Sequence, residues 1–151
     1  MRKVTMQTFL PSPNFVETAR VLDRQRLGKQ RVENLQIMIA LLEKRGWVHH
    51  PAVNMWRGFE KALLDYQFQI CYEWHVARGY TDTCLNKTID LYTKYRGEES
   101  ANSRRQVIMP PWMGDKEFHL SHQSNLLRKI PEYYGPIFPG VPDDIPYVWP
   151  V

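Results

Sequence analysis

The apolar positions along this chain repeat with a helical period over most of its length. Leu27, Val32, Leu35, Ile39 and Leu42 recur at three- to five-residue spacings, and Ile37, Met38, Ala40 and Leu41 widen the stripe. That pattern predicts a long helix buried on most sides in its second half. Lys44 and Arg45 precede Gly46 and predict its end there. Upstream, Asn14 with Glu17 three residues later is an N-cap signal, and Val16, Ala19, Val21 and Leu22 supply an apolar side. Gly28 is a mild interruption, so residues 14 to 45 read as one kinked helix or as two.

Pro51 suits the first turn of a further helix running to about Ala77, rich in large apolar groups such as Trp56, Phe59, Leu63, Phe68, Ile70 and Trp74 and closed by Arg78 and Gly79. Leu85 to Tyr95 predicts a shorter helix and Phe118 to Lys129 a last one. Residues 97 to 117 read as a long loop, a length that compact domains reserve for functional or disordered segments. Val4 to Leu10 reads as an extended arm or short strand, broken by Pro11 and Pro13. After Pro131 the chain is rich in proline and aromatics. Tyr133, Tyr134, Phe138, Tyr147 and Trp149 predict an irregular tail packed on the body. The expected fold is all-α: a single compact domain, residues 1–151, of three to five helices, with an irregular N-terminal arm and a Pro/aromatic-rich C-terminal tail.

Composition agrees with this picture. A chain of 151 residues, 43% hydrophobic and 24% charged, suits one soluble globular domain. The two cysteines, Cys71 and Cys84, form no CxxC pair, which excludes a zinc ribbon or a thioredoxin-like site. No apolar run approaches the ~20 residues of a membrane span, and the start carries no secretory pattern. A cytoplasmic monomer without cofactor or metal is expected. Phosphate-binding glycine loops, HExxH, GxSxG and zinc-deaminase signatures are all missing.

Charge changes the picture more. The formal net charge is +4, and its distribution is uneven. Arg20, Arg24, Arg26, Lys29 and Arg31 face a single acid, Asp23, between residues 20 and 31, while Arg104–Arg105 and Arg128–Lys129 form two smaller basic spots. Such a helix either contacts successive phosphates of a nucleic acid or is a solvated face with internal salt bridges. Lys29 and Glu33, four residues apart, are either an amine–carboxylate pair for chemistry or a helix-surface ion pair. Glu33 borders the apolar stripe, where its pKa can be tuned. His50, at a helix start, suits either a phosphate contact or a buried hydrogen bond, and His122 the same. His119 and His122 have metal-ligand spacing, but no further ligands are apparent. Trp112, behind Pro110 and Pro111, either stacks on a base or plugs the loop onto the core.

Leu22 to Glu33, His50 to Tyr80 and His122 to Gly135 together resemble the small pyrimidine-dimer DNA glycosylases, the bacteriophage endonuclease-V-like proteins. The carriers are Arg26-Leu27 followed by Glu33; His50, Val53, Phe59-Glu60, Leu63, Glu73 and Arg78-Gly79-Tyr80; and Pro131-Glu132-Tyr133-Tyr134-Gly135. The resemblance implies excision of a damaged or modified pyrimidine from double-stranded DNA without metal. The N-terminal α-amine, here expected on Met1, attacks the deoxyribose C1′ to form a Schiff base, and strand cleavage follows by β-elimination. It implies that Glu33 stabilises the developing sugar cation and that arginines near the amine hold the phosphates; with the basic spots, histidines and Trp112 read above, the candidates to hold the DNA are Arg20, Arg24, Arg26, Arg31, His50, Arg104, Arg105, Trp112, His122, Arg128 and Lys129. The chain departs from the pattern in two places. Arg2 follows Met1 where the family exposes a small residue, the MQTF segment beginning only at Met6, and Val32 precedes Glu33 where an arginine is expected. Non-catalytic nucleic-acid binding on the same scaffold, or a protein-interaction module using the aromatic tail, are the alternatives.

Overall fold

The computed structural model describes residues 6–150, and all regular structure in that span is helical. Helices α1 (Phe15–Val21), α2 (Arg24–Glu43), α4 (Glu60–Tyr72), α5 (Cys84–Arg96) and α7 (Lys116–Lys129) form the body, and α3 (Pro51–Asn54), α6 (Glu98–Ala101) and α8 (Pro131–Tyr134) are single turns. No helix among the described residues is long and apolar enough to cross a membrane. The core closes around Trp56, Tyr66, Phe118 and Tyr134, all fully buried, with Leu27, Ile37 and Met38 of α2 and Leu63 and Ile70 of α4.

The segment 14–45 is two helices, and the break falls at Leu22–Asp23, ahead of Gly28. Asn14 caps α1 by accepting from the Glu17 N–H, while the Glu17 carboxylate takes the Ser12 hydroxyl at 2.8 Å. Asp23 caps α2 by accepting from the Arg26 N–H. The Arg78 guanidinium donates to the carbonyls of Ala19, Arg20 and Leu22, placing a cation on the free carbonyls at the end of α1. At its far end α2 stops at Glu43, two residues before the predicted stop. There Lys44 takes the left-handed conformation (φ 55°) expected of the glycine.

The helix predicted from Pro51 to Ala77 is interrupted. Gly58 adopts φ 86°, open only to glycine at low cost, and α4 restarts at Glu60. The interruption turns Trp56 into the core, where its indole N–H donates to the Thr8 hydroxyl at 3.2 Å. Glu73–Ala77 then continues α4 as a π-helical turn that directs Trp74 back onto α2.

That turn explains Gly28. The Trp74 ring lies against it, packed between the Arg31 guanidinium (4.4 Å) and the Tyr80 ring (4.5 Å), with its indole N–H on the Thr81 carbonyl. A Cβ at residue 28 would meet that ring at 2.8 Å. Alanine ordinarily favours a helix interior over glycine by ~1 kcal/mol. Here the ring is held on three sides, so overpacking, at about 1–3 kcal/mol, outweighs the propensity gain. Gly28→Ala is expected to lower unfolding stability by about 1–2 kcal/mol, measured by urea denaturation. A variant more stable than the parent would show that the ring is free to move.

The arm is extended and buried: Met6, Thr8, Phe9 and Leu10 are all inside. The long loop carries α6 and seats Trp112 in the core. The tail packs as predicted, with Tyr134 fully buried and Tyr147 and Trp149 against the core. Cys71 and Cys84 are buried free thiols.

Candidate active site

The arm has no neighbouring strand, so side chains take its backbone hydrogen bonds. Gln30 of α2 works on one edge: its amide donates to the Gln7 carbonyl at 3.1 Å, and its oxygen accepts from the Phe9 N–H at 2.9 Å. It is in turn held by Asn34, Asn34 by Gln67, and Gln67 by Thr88, a chain of buried amides and hydroxyls joining α2, α4 and α5. On the other edge His122 Nδ1 accepts from the Leu10 N–H at 2.9 Å. His119 Nδ1 donates to the Leu10 carbonyl at 2.7 Å, and Gln123 donates to the Pro11 carbonyl. His119 Nε2 accepts from the Gly114 N–H. The Tyr66 hydroxyl donates to the Phe9 carbonyl.

This clamping fixes where the arm leads. The Gln7 N–H donates to Oε2 of Glu33, one turn along α2 from Gln30. Glu33 is 4% exposed, and its Oε1 meets Lys29 Nζ at 3.5 Å. Burial raises the Glu33 pKa above the ordinary carboxylate range; the Gln7 N–H and the Lys29 ammonium oppose that rise without cancelling it. The Lys29 side chain is 56% exposed, so the pair itself adds little to stability.

Lys29 belongs to a group of four cations drawn from the two ends of the sequence. Lys129 has its pKa lowered first by partial burial and then by the charges of Arg26, Lys29 and Arg128. Arg26 also reaches Asp23 at 3.3 Å. Asp23 in turn receives the Tyr134 hydroxyl and donates its own N–H to it at 2.9 Å, fastening α8 to the start of α2. A buried carboxyl with a raised pKa, paired with a lysine, can hold a proton or stabilise a developing cation. The surrounding cations suit phosphates.

Of the sequence candidates, Lys29 and Glu33 thus pair, and Arg26, Lys29, Arg128 and Lys129 feel one another's charge. Met1 lies outside the described residues. The others are placed elsewhere, each for a physical reason. Arg31 forms a largely buried pair with Asp82 at 2.6 Å and covers Trp74. Arg24 lies over the Tyr80 ring. His50 caps α3, accepting the Ala52 N–H at 3.0 Å. His122 is wholly buried under the arm. Trp112 plugs the loop onto the core, its indole N–H on the Met55 carbonyl. Arg104 and Arg105 are exposed on the loop, where Arg105 lines a groove with Phe59 and Ala62. Arg20 borders a groove of about 850 Å³ between the arm's prolines, α1 and α7; Glu33 does not line it. The sequence reading missed Gln7 and Gln30. Their only signal was a glutamine among apolar neighbours on an inward face, which resembles a surface residue until the arm is in place.

Among the described residues no three His, Cys, Asp or Glu side chains gather to hold a metal. No curated protein and no solved structure matches the chain. The family model of the pyrimidine dimer DNA glycosylases matches residues 6–88, which spans the arm, the buried glutamate and all of α2 and α4. With more than half of its length so matched, the chain belongs to the pyrimidine dimer DNA glycosylase family.

Proposed function

We propose that the protein is a DNA glycosylase with an associated lyase step, acting on a damaged or modified pyrimidine of the UV-dimer type in duplex DNA. The observation that carries this reading is the Gln7 N–H on the buried Glu33 carboxylate, since it brings the arm to an acid whose pKa burial raises and which pairs with Lys29 of the cation group. In this reading the chain's α-amine adds to C1′ of the damaged nucleotide as the pyrimidine departs. Glu33 balances the positive charge that develops on the sugar and moves the proton that the amine must lose. An α-amine needs little tuning to be partly neutral at pH 7, because its ordinary pKa is about 7.7–8.0. Arg26, Lys29, Arg128 and Lys129 grip the phosphates on either side.

The experiment is a borohydride trap on duplexes bearing a cyclobutane dimer or an abasic site. It is run with the full chain and with a chain begun at Met6, and intact mass identifies the terminal residue in each. A covalent adduct is expected in the form whose amine reaches Glu33. DNA affinity is expected to fall steeply with salt, less so after Arg128→Ala and Lys129→Ala. Salt-dependent binding with neither adduct nor base release in either form would replace this reading by DNA binding without chemistry.

A further inference from the structure

The residues after Gly135 lie outside the matched span, yet they form a strap across the site. Arg128 donates to the carbonyls of Asp143 (2.6 Å) and Ile145 (3.3 Å). The Ile145 N–H donates to Ser124 Oγ at 3.0 Å, and the Val148 N–H to Ser121 Oγ at 3.1 Å. These bonds come from one face of α7 and set the tail's register on both sides of Tyr147. The Tyr147 ring is thereby held against His122 (5.5 Å), Trp149 (5.6 Å) and Phe9 of the arm (6.5 Å).

The Tyr147 hydroxyl is buried and has no hydrogen-bond partner among the described residues. The same is true of Glu33 Oε1, Gln7 Oε1 and His122 Nε2. Glu33 Oε1 has only the Lys29 ammonium at 3.5 Å, too long for a strong hydrogen bond. Because His122 Nδ1 accepts from Leu10, its Nε2 carries the hydrogen. The four atoms are therefore two donors, the phenol and the imidazole N–H, and two acceptors, the carboxylate and the amide oxygen. Two of them are joined through Gln7, whose own N–H lies on Glu33, and the Tyr147 ring packs on His122 and on Phe9, two residues along the arm from Gln7. Buried polar atoms left open in this way mark a place for a water or a substrate oxygen.

We propose that Tyr147 is a positioning residue of the Glu33 site, its hydroxyl donating through one bridging water or substrate oxygen to Glu33 Oε1. This rests on the glycosylase reading for its purpose, though not for its geometry. Burial, and after it the charge of Glu33, keeps the Tyr147 phenol protonated against the opposing pull of Arg128 and Arg26; the phenol therefore acts as a donor throughout the working pH range. The other groups that act on Glu33 or feel its charge are Lys29 on its own helix, the Gln7 N–H of the arm and Tyr66 of α4, whose hydroxyl is taken by Phe9. Among the described residues Tyr147 and His122 are thus the donors still open to serve the carboxylate, and of the two it is Tyr147 that the charge of Glu33 reaches.

The test is Tyr147→Phe, which keeps the ring packing and removes the donor. The Glu33 carboxyl is titrated by carbon NMR in both proteins, a readout that needs no activity. Losing a donor to the carboxylate disfavours its charged form, so the midpoint is expected to rise by about half a unit or more. On a cyclobutane-dimer duplex, kcat is expected to fall about tenfold with KM unchanged, the signature of an interaction made at the reacting centre. An unmoved Glu33 midpoint overturns the proposal, even if Tyr147→Phe is less stable, because packing alone would then account for the residue. A raised midpoint in a protein whose parent releases no base supports the Tyr147–Glu33 link and removes the glycosylase reading instead.

Discussion

Glu33→Gln is expected to lower base release by about a thousandfold or more while leaving the fold and the affinity for duplex DNA nearly intact. The amide keeps the shape and an oxygen that accepts the Gln7 N–H. It also removes a carboxylate that burial already destabilises, so stability should hold or rise slightly. What is lost is charge opposite a sugar cation, together with an acceptor for the proton shed by the attacking amine. The parent protein should show the complementary pH behaviour. With the Glu33 pKa raised, the rate of a step that needs the carboxylate climbs with pH through a midpoint above the ordinary range for glutamate. Single-turnover base release across pH checks both statements. A Glu33→Gln protein with parental rates would remove this carboxyl from the chemistry.

The second large effect concerns acid. His122 is completely buried, and its pKa is lowered to about 3 by burial and by the neighbouring His119. In the unfolded chain it returns to about 6.5. Between these values the unfolded state binds a proton that the folded state refuses, so stability falls as pH drops below about 6.5 and goes on falling toward 3. The slope from this one residue approaches ~1.4 kcal/mol per pH unit, a total of several kcal/mol. His119 and His50, both lowered by burial, act with the same sign. Glu33 acts against them, because its raised pKa favours the folded state as pH falls through its midpoint. The net expectation is a marked loss of urea stability from pH 7 to pH 4, flattened by His122→Gln, whose amide oxygen can still accept the Leu10 N–H. Equal stability at the two pH values in the parent would contradict the buried neutral imidazole.

The helices and much of the site could be read in the sequence because both depend on local spacing. The α2 stripe, the Asn14 cap, α5 and α7 follow from periodicity and end signals within a few residues. The Lys29–Glu33 pair is likewise a matter of one helical turn. Features that depend on distant partners were not legible. Nothing near Gly28 announces Trp74, and nothing near Pro51 announces that Trp56 must turn inward to meet Thr8. Among the basic residues, sequence alone could not separate Arg31, which serves Asp82, from Arg128 and Lys129, which reach α2 from the far end of the chain. His122 and Trp112 looked like contacts for DNA because an imidazole and an indole do not reveal from sequence whether their polar atoms meet solvent or a buried backbone group.

The Leu10 backbone bonds to His119 and His122 span 109 and 112 positions of sequence. They bear on the order of events during synthesis. The arm is synthesised well before the imidazoles that take its amide and carbonyl. Until then the arm has Gln30 to hold one edge and nothing for the other. The pocket at Glu33 is therefore among the last parts of the molecule to close, and its closure waits on contacts whose loop entropy slows folding. A product truncated before α7 would carry the glutamate and most of the matched family segment, yet would lack the imidazoles and the basic end of α7 that complete the site. On the proposed reading such a fragment would not nick DNA early, and activity would belong to the chain that carries α7.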